Sequence, residues 1–242
     1  RPDGSEGAMP DGSFIQEVPL SGQKTSEDAQ LIIAGDGNAI IHTFNYYTDF
    51  MAWPDNLEKE VAIDGAELVY VGYGIQAPEE DWDDFKNTDV AGKVLVLKNN
   101  DPGSDPSLFK GNTRLYYGRY DYKYEKAREM GAAGVLIIHT TPTAGYGWNV
   151  VSNSWNREQF YLRGDESKKN SPTKFNGWLT EASSAALFES AGLNLETQLE
   201  AAEDRSFEPV ALEGLSLSLE LSADYRPKDA KNVLGVIEGT HN

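Results

Sequence analysis

Lys93-Val94-Leu95-Val96-Leu97-Lys98, then a stripe at Tyr120, Tyr124, Ala127 and Met130, then Gly131-Ala132-Ala133-Gly134-Val135-Leu136-Ile137-Ile138-His139, decide the fold. The outer two are short apolar runs bounded by turn residues, which predicts strands at 93–98 and 135–139. Between them the apolar positions recur every three or four residues, the spacing of one helix face. Gly131 stands where a helix C-cap belongs, and Gly131 to Gly134 permits a tight helix-to-strand turn.

The same reading extends outward from this unit. Residues 67–71 form a preceding strand, and Asp89-Val90-Ala91-Gly92-Lys93 is a turn feeding the next. Gly72 and Gly74 imply bulges or close backbone approach. Residues 1–13 are rich in Gly, Pro, Asp and Ser and are expected to be a loop. A strand is expected at 14–20, and a hairpin at 30–34 and 38–42 around Gly35-Asp36-Gly37. Residues 142–172 carry Trp148, Trp155, Phe160 and Tyr161 without a convincing period, which predicts an elaborated surface loop. A strand at 174–179 leads through Thr180 as N-cap into a helix stopped by Gly192. Asn194 caps another helix carrying Leu195, Leu199 and Ala202. Leucines alternate with polar residues at Leu215, Leu217, Leu219 and Leu221, the period of a half-buried strand. Residues 233–237 make a second, less polar strand, expected to be more buried.

A chain of 242 residues allows one or two domains. Hydrophobic residues at 39% and charged ones at 25% place it among ordinary globular sequences rather than disordered tails. Lys plus Arg total 21 against 39 Asp plus Glu, a formal charge of −18. Such a field repels phosphate backbones and anionic headgroups, arguing against nucleic acid and membrane partners. Cysteine is absent, which removes disulfides, thiolate metal sites and thiol nucleophiles. No stretch approaches the about 20 apolar residues of a membrane span.

Three blocks in order carry a family likeness: Tyr70-Val71-Gly72-Tyr73-Gly74-Ile75-Gln76-Ala77-Pro78, Trp82-Asp83-Asp84-Phe85, and Asp89-Val90-Ala91-Gly92-Lys93-Val94-Leu95-Val96-Leu97. They resemble the protease-associated domain inserted in M28-type zinc aminopeptidases. Asn100-Asp101-Pro102-Gly103, Tyr116-Tyr117-Gly118-Arg119-Tyr120 and Lys126-Ala127-Arg128-Glu129-Met130-Gly131 fit it as well. Phe14-Ile15-Gln16-Glu17-Val18-Pro19-Leu20 and Lys231-Asn232-Val233-Leu234-Gly235-Val236-Ile237-Glu238-Gly239-Thr240 look like catalytic-domain strands flanking the insert. The resemblance covers nearly the whole chain.

It implies a β-rich α/β fold, a swollen β-sandwich or open barrel with flanking helices. Residues 1–60 would be N-terminal flanking strands of the catalytic domain, 61–203 the insert, and 204–242 strands returning to a truncated catalytic domain. The parent enzyme would be secreted or periplasmic and would remove N-terminal residues from peptides with two zinc ions. In the family the zinc ligands and the general-base glutamate follow the strand at which this sequence stops, so the chain alone is expected to be inactive and without cofactor. Its partners would be the catalytic domain of the same polypeptide and the peptide substrate.

The residues themselves offer few catalytic constellations. His42, His139 and His241 lie far apart, and each is expected to be structural or solvent-facing. Glu79-Glu80-Asp81 with Asp83 and Asp84 lacks a calcium-loop spacing and is expected to be a solvated acidic loop, pinned by Trp82 and Phe85 on a single helical turn. No Gly-x-Ser-x-Gly elbow occurs. Gly145-Tyr146-Gly147 lacks the third glycine and following helix of a dinucleotide fingerprint. The aromatic group Tyr116, Tyr117, Tyr120, Trp148 and Trp155 is the candidate substrate rim, with core packing or burial against a catalytic domain as its structural alternative. The leading expectation is therefore an insert that shapes a peptidase cleft. A free-standing peptide- or glycan-binding module, and a hydrolase with an unrecognised carboxylate pair, are the alternatives.

Overall fold

The structure is a computed structural model, and it describes residues 9–55, 58–111, 113, 116–163 and 171–235. The fold is α/β and rich in strand. Its strands are β1 (Ile15–Thr25), β2 (Gln30–Ala34), β3 (Ile40–Asn45), β4 (Phe50–Pro54), β5 (Glu60–Tyr70), β6 (Gln76–Ala77), β7 (Trp82–Asp83), β8 (Val94–Lys98), β9 (Gly134–His139), β10 (Gln159–Leu162), β11 (Phe175–Thr180) and β12 (Val210–Val233). The helices are α1 (Tyr120–Glu129), α2 (Thr141–Ala144), α3 (Trp148–Trp155), α4 (Glu181–Ser190) and α5 (Leu195–Ala201).

One large sheet runs β10-β1-β12-β5-β8-β9-β11-β4, and β2 joins β12 to β3. Its centre is parallel, β5 with β8, β8 with β9, and β9 with β11. Strands covered on both faces need continuous apolar runs, and β8 and β9 are buried at every position. Parallel neighbours also need a crossover, and α1 supplies it between β8 and β9. Tyr124 and Ala127 of α1 enter the core, and Gly131 ends the helix with φ +74°. The strand–helix–strand unit expected from the sequence is thus present.

Strands from all three expected segments share this sheet. β4, from 1–60, pairs with β11, and β12, from 204–242, pairs with β5. Leu31, Phe50, Leu95 and Leu217 accordingly lie in one apolar core.

In β12 the leucines 215, 217, 219 and 221 point inward, as their alternation predicts. The expected break before residue 233 is absent, because the strand runs on as an arm paired with β1, from Thr25↔Ala223 to Ile15↔Val233. Val233 is 76% exposed rather than buried, since no second layer covers the arm among the described residues. Residues 236 and 237 of that expected strand lie outside them.

Two further expectations are corrected. The stretch 142–172 is not an irregular loop: it carries α2, α3 and β10. Trp148, Val151 and Trp155 recur at helical spacing and turn one face of α3 onto the core, so a helix does follow Gly147. It follows helix α2 rather than a strand, so the strand–turn–helix of a dinucleotide site is not formed. Trp82 and Phe85 do not share a helical turn. Trp82 lies in β7 and packs into a small cluster with Tyr73, Phe109 and Tyr122, whereas Phe85 enters the main core.

Candidate binding site

The first turn of α1, the segment joining α2 to α3, α3 itself, and the strands β10 and β11 converge on a groove of about 230 Å³. Tyr120, Tyr146, Val150, Val151, Ser154, Trp155, Gln159 and Trp178 line it. The parallel pairing of β9 with β11 sets Trp178 opposite Ile137, two residues before His139. Trp178 is buried and forms the floor, while Tyr120 and Tyr146 stand exposed at the rim.

The rings brace one another. Trp155 stacks on Trp53 with centroids 3.7 Å apart and planes 8° from parallel. Tyr120 meets Trp155 edge-on at 5.8 Å and Trp178 at 6.2 Å, both favourable aromatic geometries. The Trp148 indole donates to the Tyr47 carbonyl at 2.8 Å, and the Tyr47 hydroxyl donates to Asn153 Oδ1 at 2.9 Å, which ties α3 to the turn before β4. Gln159 spends both amide hydrogens on the Ser154 and Arg157 carbonyls, at 2.8 and 3.1 Å.

His139 stands behind the groove at the end of β9, only 3% exposed and in ring contact with Tyr146, Trp148 and Trp178. Its Nε2 has no hydrogen-bond partner, and burial pushes its pKa down, so the imidazole is neutral at physiological pH. Burial also raises the phenol pKa values of Tyr120 and Tyr146. No lining residue carries a formal charge. The groove can therefore bind through ring surfaces and hydroxyl or carbonyl acceptors, and it offers no nucleophile–base pair.

Of the five expected rim residues, the structure brings only Tyr120 and Trp155 to the groove. Trp148 packs one layer behind, against His139. Tyr116 and Tyr117 belong to a separate cluster around Tyr122, at 5.1 and 5.0 Å, where their hydroxyls donate to Glu125 and to Glu79. Tyr146 and Trp178 were not singled out from the sequence. Trp178 sits in a run of buried strand residues, with no local signal that its ring also floors a cavity.

Other candidate groups resolve into structure. His42 lies within β3, 2.8 Å from the Ser190 hydroxyl and stacked on Phe44. His241 lies outside the described residues. Among the described residues no three His, Asp or Glu side chains gather closely enough to hold a metal ion. The acidic run is not uniformly solvated: Asp83 accepts from the Phe85 and Lys86 amides, and Asp84 is buried. A second, wider trough of about 1030 Å³ is lined by β2, β5 and β12, with Asp28, Glu60, Asp64 and Glu220 in its wall.

No family model matches the chain, and neither does any curated relative. Among solved structures the chain is similar to an aminopeptidase from Aneurinibacillus sp. strain AM-1, with a TM-score of 0.42 and 17% identity. The match covers 91% of this chain and 37% of that one, so the chain spans little more than a third of the length of the protein it matches.

Proposed function

We propose that this chain is a non-catalytic, protease-associated region of an M28-type zinc aminopeptidase, secreted or periplasmic, that shapes the peptidase cleft and touches the peptide through the aromatic groove. The observation that carries this reading is the groove itself: a concave, uncharged, ring-lined site whose exposed rim is built from Tyr120 and Tyr146. Such sites hold ligands by apolar contact and a few oriented polar atoms. The ordered blocks of sequence resemblance, and the β-rich α/β fold they imply, support it.

Two zinc ions belong to the parent enzyme under this reading. The described residues do not suit them, because His42 is engaged with Ser190 and His139 is enclosed by rings. The chemistry would then be performed by the catalytic domain, with this chain limiting what reaches it. Incubating the chain with excess zinc and amino-acid p-nitroanilides should give no turnover, while short end-blocked peptides should quench tryptophan fluorescence saturably. Stoichiometric, zinc-dependent turnover would overturn the non-catalytic assignment.

A further inference from the structure

Resting on that reading, we infer that the groove selects for a cationic side chain, arginine or lysine, carried by the peptide. Tyr120, Tyr146, Trp155 and Trp178 all line the cavity, and the groove is of side-chain size. A cation near aromatic rings is attracted by their electron-rich faces, without any carboxylate having to be desolvated. The lining residues Ser154, Tyr146 and Gln159 also carry side-chain oxygens, a group type that accepts hydrogen bonds from a guanidinium or ammonium.

The surroundings favour the same sign. Neither lysine nor arginine lines the groove, and the one basic ring behind it, His139, is held neutral by burial. Asp121 and Arg119 flank Tyr120 with opposite charges, and Asp121 has the larger effect on its hydroxyl. The whole chain carries −18, which raises the local concentration of cations over anions.

The test uses acetyl-Ala-X-Ala-amide peptides, whose blocked ends remove terminal charges, titrated into the whole chain. X is arginine, lysine, norleucine, glutamate, or citrulline, which keeps the shape of arginine without its charge. Arginine should bind about 2- to 30-fold more tightly than citrulline, the range a partly desolvated cation and aromatic ring supply. Tyr146→Leu keeps apolar bulk and removes one of the four rings, and it should narrow the arginine-over-citrulline ratio. Tyr146 is 39% exposed, so the substitution opens no core cavity. Val150→Lys, at an exposed helix position on the rim, is the second variant and should weaken arginine binding selectively. Equal binding of arginine, citrulline and norleucine would overturn the cation preference and leave the peptide-contact reading standing. An arginine preference untouched by both variants would overturn its assignment to this groove. Failure of every peptide to bind would overturn both readings.

Discussion

Asp84 is 2% exposed, and its Oδ2 accepts the Ile75 backbone N–H at 2.9 Å. Burial, only partly offset by that N–H, pushes its pKa up to about 7 from 3.8. Between those values the folded state holds a proton that the unfolded state has lost, so this group's contribution falls as pH rises through the window. Asp84→Asn should remove that slope, gaining a few kcal/mol relative to the wild type at pH 8 and much less at pH 4. Urea unfolding at both pH values checks it, and equal differences at the two would refute the burial argument. Glu203 behaves oppositely. Burial would raise its pKa, but bonds from Lys98 and Tyr73 outweigh this and hold it down, and its other oxygen accepts the Gly103 and Ser104 amides at 3.1 and 3.2 Å. Glu203→Ala removes the carboxylate partner of the Lys98 ammonium, which keeps the Leu199 carbonyl at 2.7 Å, and should cost about 2 to 3 kcal/mol in denaturant unfolding. In the sequence both residues are ordinary acids, because burial is not a property of neighbouring letters.

The elements were legible where their signals are local. The Thr180 side chain does accept from the Ser183 N–H and Asn194 from the Thr197 N–H, as their N-cap positions predict. The hairpin at β2 and β3 also forms where Gly35-Asp36-Gly37 places it. α3 was missed because its helical face is only two turns long and lies among Gly, Asn and Ser, which favour loops. Gly177 in β11 shows a requirement visible only between elements: a Cβ there would lie 2.6 Å from the Met51 carbonyl of β4. Gly177→Ala should therefore cost about 1 to 3 kcal/mol, lowering the urea midpoint with no change in slope. A neutral result would show that β4 can yield.

Across the whole molecule β12 has two characters. Residues 216, 217 and 219 pair on both sides, with β5 and β2, and the leucines fill the core. Among the described residues, 224–233 pair with β1 alone, and the arm's ion pairs, such as Lys231 with Glu17, are exposed. Exposed pairs add little stability. Hydrogen exchange should accordingly be slower at Leu217 and Leu219 than at Arg226 or Asp229, because the arm can open without the core. Uniform protection along β12 would contradict this.

By itself the sequence determined the element types of the central unit, the helix caps, the inward face of β12 and the acidic character of the chain. All of these rest on residue type and spacing within a turn or a strand. Only the tertiary structure decided that Tyr120, Tyr146, Trp155 and Trp178 share one groove while Tyr116 and Tyr117 do not. Ring proximity depends on the register of β9 against β11 and on how α3 seats over the sheet, and both are set by packing between segments distant in the chain.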